Sequence, residues 1–444
     1  MPATLQQNAL FISSSSIFNF NTSLTSPNLG KIRDEMSIEE TALPDPPKWT
    51  KTPQQPLPPH TLGKLIVSSS VYEIAGGLET IDRKSLRIEN FKFVSSYNWI
   101  TDPDVSQKLV IPGNPPRMTA LTSPITVSPD EGFCPRDICS SLYPEHPMEP
   151  AVVAVLQSNP TAFNKVQIVA CSKVLNHLLS IARQWKKQGP IRILVERIGN
   201  TIYLGRRENQ PNDSFELHGF GKSFSSAITA WEPGLEGSKT HQRIVGYKFA
   251  GFNMLVRSEV DGYIPVGNDD VEISGSSSRV ETVMPNGLKV VVEPGKKQVG
   301  QSQLFDLKTR SIPAAGKARD PARDYVSKFW VGQTPTLILA YHTRGLFQPD
   351  TFFTRDMDKG VKTWERKRWT DVGRYAAMLQ WIYKQVCGER ERVEIVQTGE
   401  EGQDYVLEVR EVMEGVEGVL SEEVKRLLLE RKNQNEDSDV EMIL

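Results

Sequence analysis

Glu259-Val260-Asp261 closes the run Asn253-Met254-Leu255-Val256-Arg257-Ser258, and Asp306-Leu307-Lys308 follows 45 residues after Asp261. Both stretches have the composition of β-strands, in which residues i and i+2 face the same way. Glu259 is therefore expected to project with Asp261, and Asp306 with Lys308. Three carboxylates meeting from two strands would hold one or two Mg2+ or Mn2+ ions, with the Leu307 carbonyl as a further oxygen ligand. Water on such an ion loses its proton more readily and attacks phosphorus. The Lys308 ammonium would orient that water or stabilise the developing charge. The chemistry is phosphodiester hydrolysis, with Glu259, Asp261 and Asp306 as metal ligands and Lys308 as the catalytic cation.

Neighbouring charge suits a phosphate-bearing ligand. Arg257, Glu259 and Asp261 fall on one strand face with Leu255, while Val256 and Val260 fall on the other. Carboxylates gathered on one face repel unless a cation joins them. Lys308, Arg310, Lys317, Arg319 and Arg323 crowd the second motif, a cationic stretch fit for phosphate. Arg257, Arg310, Arg319 and Lys328 are the candidate substrate contacts. Each motif alone is a weak signal, because Glu-x-Asp and Asp-x-Lys also occur on solvated strand faces.

The surrounding pattern supplies elements to position these groups. Ser172 to Lys187 reads as a helix with Ser172 as its cap and Val174, Leu175, Leu178, Leu179 and Ala182 as its apolar stripe. Residues 191–196 and 201–204 read as a hairpin around Gly199-Asn200. Gly221 to Thr229 reads as helical. Arg243 to Phe249 and Asn253 to Tyr263 read as two strands joined at Gly251. Leu288 to Val292 and the buried-type run Thr336 to Tyr341 add strands. Helices are expected over 324–330, over Trp364 to Val386 and over Ser421 to Lys432, with a late hairpin of Arg392 to Val396 and Tyr405 to Val409. The expected class is mixed α/β (α+β): a central mixed β-sheet flanked by helices.

Three segments follow: a disordered leader over 1–85 with a proline-rich linker at Lys51 to His60, one α/β domain over 86–412, and an acidic helix and tail over 413–444. The last 57 residues carry 7 basic and 17 acidic side chains, against 45 and 37 in the rest of the chain. A mildly basic body with an acidic tail is compatible with a polyanionic ligand, and equally with a tail that is merely solvated. No run of 18 apolar residues exists, so no membrane span is expected. The N-terminus has neither the pattern of a secretory signal nor the arginines of a mitochondrial presequence. The four cysteines are too few and scattered for a disulfide framework, and Cys134 and Cys139 lack a second pair at zinc spacing. Reduced thiols, and hence a nuclear or cytoplasmic compartment, are the expectation. His177 and His146 read as structural; His218 and His241 bracket the helix at Gly221 and are candidate phosphate contacts.

The order of these pieces resembles the DXO decapping-nuclease family, relatives of the PD-(D/E)XK nucleases. The matching text is Val256-Arg257-Ser258-Glu259-Val260-Asp261, then Leu307-Lys308-Thr309, then Lys328-Phe329-Trp330 leading to Pro335-Thr336-Leu337-Ile338-Leu339-Ala340-Tyr341. The resemblance covers residues 90–390 and is best over 215–385. It implies a divalent-metal nuclease with an active-site cleft, acting on RNA 5′ ends by removing defective caps and degrading 5′ to 3′. It also implies RNA as ligand and a 5′–3′ exoribonuclease as candidate partner. Two positions depart from the family pattern: Ser225 stands where a metal-binding Glu is expected, and Lys328 where a Gln is expected. Losing one anionic ligand weakens the hold on a second metal, and an added ammonium competes with metal. A catalytically degenerate RNA-binding or scaffold protein on the same fold is therefore the alternative. A prenyl diphosphate synthase needs two Asp-rich helical motifs, whereas Asp269-Asp270-Val271-Glu272 is the one Asp pair of that kind and sits among Gly and Ser.

Overall fold

The computed structural model describes residues 60–76, 82–101, 107–184, 191–207, 210–266, 279–284, 287–294, 296–312, 320–398 and 405–441, with side chains to residue 431. Apolar runs pair into a mixed sheet of twelve strands with β1 (Ile168–Cys171), β2 (Ser238–Phe249) and β3 (Phe252–Glu259) at its centre. Strand β3 is parallel to β1 and antiparallel to β2. All four residues of β1 are buried, as expected of a parallel strand covered on both faces. Leu255 and Arg257 face Met148 and Val152 around the helix Glu149–Ser158. The opposite face of β2 and β3 packs on helices: Tyr247 Oη donates to the Val331 carbonyl at 3.2 Å, and Ser258 abuts Gly332.

Four helices matter for the site: α1 (Ser172–Ala182), α2 (Gly221–Ile228), α3 (Ala322–Gly332) and α4 (Trp369–Gln385). Helix α1 buries the predicted stripe of Val174, Leu175, Leu178, Leu179 and Ala182, and Ile181 with it. Each of the Val, Leu and Ile side chains contributes about 1.5–3 kcal/mol through burial. Cys171, rather than Ser172, is its N-cap, and its side chain makes no capping bond.

A second sheet of seven strands contains β4 (Leu304–Ser311) and β5 (Thr336–Thr343), which run parallel. Asp306 lies opposite Leu337, and Lys308 opposite Leu339. The chain passes between the sheets in two residues. Strand β3 ends at Glu259 in the large sheet, and Gly262–Tyr263 pairs with Phe305 and Leu304 of β4 in the small one. Gly262 is required there, because a Cβ would lie 2.4 Å from the buried Phe305 ring.

Several expectations are corrected. The leader does not extend to residue 85: Leu65–Ser70 pairs with Val406–Arg410 at one edge of the large sheet, and Val71, Ala75 and Leu86 are buried. The C-terminal segment is not separate from the domain, since Val419, Leu420, Val424 and Leu428 belong to the main core. The expected single strand from Asn253 to Tyr263 is broken by the crossing between sheets. The expected helix over Trp364 to Val386 is two, Asp358–Lys367 and α4, parted at Arg368. The first of these buries no residue fully and leans on the core through Val361 and Trp364, whereas α4 buries Val372, Tyr375, Met378, Leu379 and Ile382. The linker at 51–59, Asp269 to Glu272, Lys317 and Arg319 lie outside the described residues.

Candidate functional site

The seam between the sheets brings the two acidic motifs together. Asp261 sits in the two-residue crossing, and its Oδ2 accepts the Leu307 amide of β4 at 2.7 Å. Asp306 and Lys308 share a face of β4, as the i, i+2 rule predicts, and their side chains form an ion pair. Lys308 Nζ also donates to the Leu307 carbonyl at 2.8 Å and stands 3.7 Å from Asp261 Oδ2. Glu259, at the end of β3, accepts from Thr240 Oγ1 at 2.9 Å, and Gln242 Nε2 supports that hydroxyl at the same distance.

Lys328 completes the cluster from α3. Its ammonium contacts the second oxygen of Asp306, so each oxygen of that buried carboxylate carries a lysine. Glu259 is exposed at the mouth of the cleft, yet partial desolvation of its carboxyl raises it above its usual range, and the charge of Asp261 adds to this; Thr240 and Lys328 oppose it. Enclosure also pushes Asp261 upward, but Lys308, Lys328 and the Leu307 amide together hold it below the ordinary range. Lys328 thus acts on all three carboxylates at once. Tyr325, one turn earlier on α3, stacks beneath Lys308 at 5.8 Å and receives a hydrogen bond from Arg310.

A cleft of about 550 Å³ opens over Glu259 and Lys328. The start of α1 forms one wall with Lys173 and Asn176; Arg136 and Asp137 form another; Asp324 and Lys328 come from α3. Arg136, Lys173, Arg257 and Lys328 outnumber the acids Asp137, Glu259 and Asp324 on this lining, a balance that suits an anion.

The expected metal cage takes another form. Among the described residues, no group of three or more His, Cys, Asp or Glu side chains is placed to hold a metal ion. Asp261, Asp306 and Lys308 do meet, but as ion pairs and hydrogen bonds, while Glu259 is held by Thr240 and feels the others through charge. The oxygens a divalent ion would take from Asp306 already accept from two ammonium groups, and Ser225 on α2 brings no carboxylate. The donor set does not fit a resident divalent ion.

The other candidates fall in different places. Arg257 lines the cleft but is buried, and its Nη1 donates to the Pro147 carbonyl at 2.7 Å. Arg310 is exposed beside Lys308 and donates to the Thr309 carbonyl at 3.1 Å. His241 is no phosphate contact: it is buried, with Nδ1 2.7 Å from Asn98 Oδ1. His146 is structural as expected, with its Nδ1 3.0 Å from the Gly418 carbonyl. Thr240, Gln242 and Tyr325 were not legible as site residues, because a hydroxyl, an amide and a helix tyrosine carry no motif of their own.

A family model spans residues 75–429. The chain belongs to the family described as a domain of unknown function, DUF8563. No curated protein matches its sequence. In fold it is similar to Rai1 of Scheffersomyces stipitis, solved in complex with (3′-NADP)+ and a calcium ion. That likeness has a TM-score of 0.50 at 11% identity, over 81% of this chain and 99% of the other. Candida albicans Rai1, solved with pU5-Mn2+, aligns at a TM-score of 0.48 and 10% identity over 78% and 96%. K. lactis Dxo1, solved with manganese, aligns at 0.42 and 8% over 81% and 96%. The mixed α/β class read from the motif order is the fold observed, and it is the fold shared with Scheffersomyces stipitis Rai1.

Proposed function

We propose that this chain binds the phosphorylated 5′ end of RNA in the cleft over Glu259 and Lys328 and does so without cutting it. The observation that carries this reading is the double occupation of Asp306 by Lys308 and Lys328. It leaves no carboxylate oxygen of Asp306 free to join Glu259 and Asp261 around an ion. What a metal supplies to a phosphate, a fixed local positive charge, comes here from the side chains. The half-exposed Lys328 and the exposed Arg310 stand where phosphate oxygens can reach them. An RNA ligand fits a nuclear or cytoplasmic protein, and a 5′–3′ exoribonuclease is the partner to test first.

A second reading keeps hydrolysis. Lys328 has 44% of its side chain exposed, so it can swing off Asp306 and admit Mg2+ or Mn2+ when substrate arrives. Fluorescent single-stranded RNA, 5′-phosphorylated or 5′-hydroxyl, separates the two. Binding in EDTA that prefers the phosphate, with intact RNA after incubation in Mn2+, supports recognition alone. Cleavage in Mn2+ that disappears in Asp306→Asn supports hydrolysis. Equal binding of the two RNAs overturns the 5′-phosphate reading.

A further inference from the structure

The geometry points to Lys328 as a tethered cation that takes the place of a divalent metal and shuts a latent metal site at the seam. This deepens the reading above and rests on it. Lys328 rises from α3 to contact Asp306 Oδ2, while Lys308 holds Oδ1 from β4 itself. The two lysines are not equivalent. Lys308 lies on the same strand face as its partner and would accompany a metal, since it also binds the Leu307 carbonyl and nears Asp261. Lys328 comes from another element, lines the open cleft, and interacts with Glu259 and Asp261 as well as with Asp306. A single positive charge acting on three carboxylates from the cleft side stands where a bridging ion would stand.

Two physical reasons make this exclusion rather than coexistence. An ammonium and a metal need the same carboxylate lone pairs, and the ammonium keeps its donors about 2.7–2.9 Å from oxygen. A divalent ion brought beside it meets like charge in a partly desolvated site. The trade also has a logic for the carboxylates. Without Lys328, Asp306 and Asp261 would keep Lys308 and Glu259 the more distant charge of Lys173, leaving an excess of negative charge that draws in a cation. Lys328 supplies one such charge covalently, so three carboxylates face two ammonium groups at any metal concentration. The seam then presents a fixed charge to phosphate, where a metallonuclease would present an exchangeable ion.

The test is Mn2+ binding to the full chain, read by electron paramagnetic resonance of free Mn2+, without RNA. Wild type and Lys328→Arg are expected to take up no Mn2+ at the seam. Lys328→Gln is expected to bind Mn2+ on the order of tenfold or more tighter, and Asp306→Asn added to it should abolish the gain. Circular dichroism and a thermal melt check that each variant folds, and Lys328→Met serves if the glutamine variant does not. Wild type that binds Mn2+ as tightly as Lys328→Gln, with loss in Asp306→Asn, overturns the inference. So does Mn2+ uptake by Lys328→Gln that survives Asp306→Asn. The readout contains no RNA, so failure to bind RNA in EDTA sinks the proposed function without touching this result.

Discussion

The Leu307 amide donates to Asp261 Oδ2 across 2.7 Å, and that bond ties the crossing loop of one sheet to the neighbouring strand of the other. Asp261 is thereby a structural acceptor before it is anything else. Its carboxyl is held below the ordinary range although enclosure pushes it up, because Lys308, Lys328 and this amide favour the charged form.

Asp261→Ala is expected to leave the Leu307 amide unpaired at a partly buried position, costing about 1–3 kcal/mol. Asp261→Asn keeps an acceptor oxygen of the same shape and should cost less. Urea unfolding of the three proteins checks the order. Equal midpoints for wild type and Asp261→Ala would show that the bond contributes nothing to the seam.

Lys308 carries a prediction about salt. If its ammonium meets an RNA phosphate, Lys308→Met lowers affinity and flattens the dependence of log K on log salt by about 0.7, the share of one phosphate contact in a single strand. Fluorescence anisotropy titrations at several salt concentrations read the slope. An unchanged slope with weaker binding would move Lys308 from phosphate contact to support of Asp306.

The sequence carried the pairwise geometry of the site further than its chemistry. The i, i+2 rule placed Asp306 beside Lys308 because β4 is one continuous strand. The strand assigned to Asp261, however, ends two residues earlier, at Glu259, and the chain changes sheets there. Gly262 was the local sign of that crossing, but a glycine after an acid reads as an ordinary strand end. The conflict at Lys328 was visible only through family resemblance. Helical periodicity puts it on the polar face of α3 and is silent on which strand that face meets. The edge strand Leu65–Ser70 was lost to the leader because its pairing partner lies more than 300 residues away.

His241 gives the fold a pH dependence. Burial, and secondarily the charge of Arg243, hold its imidazole well below 6.5. The folded protein therefore keeps it neutral while the unfolded chain protonates it. Below pH 6.5 the unfolded state binds more protons, so stability is full above that pH and is lost as pH falls, by up to ~1.4 kcal/mol per pH unit. Denaturant midpoints measured from pH 7 to pH 5 should fall more steeply for wild type than for His241→Gln, which retains a donor toward Asn98 but cannot titrate. Parallel slopes would assign the acid sensitivity to other groups.

Gly262 enters the small sheet directly opposite Phe305 of β4, immediately after the crossing that carries Asp261. A Cβ there would meet the Phe305 ring at 2.4 Å and the Pro116 carbonyl at 3.0 Å. The ring is fully buried and the carbonyl is backbone, so neither yields without shifting β4. Gly262→Ala is thus expected to cost about 1–3 kcal/mol by overpacking. The strain falls between Asp261 and its partner Leu307, so the variant should also weaken RNA binding, although no ligand reaches Gly262. Phe305→Leu, which removes the ring edge, should restore part of both losses when combined with Gly262→Ala. Thermal melts and RNA titrations of the two single variants and the pair measure the coupling. Strict additivity would mean that the close approach of Gly262 to Phe305 does not set the position of the site.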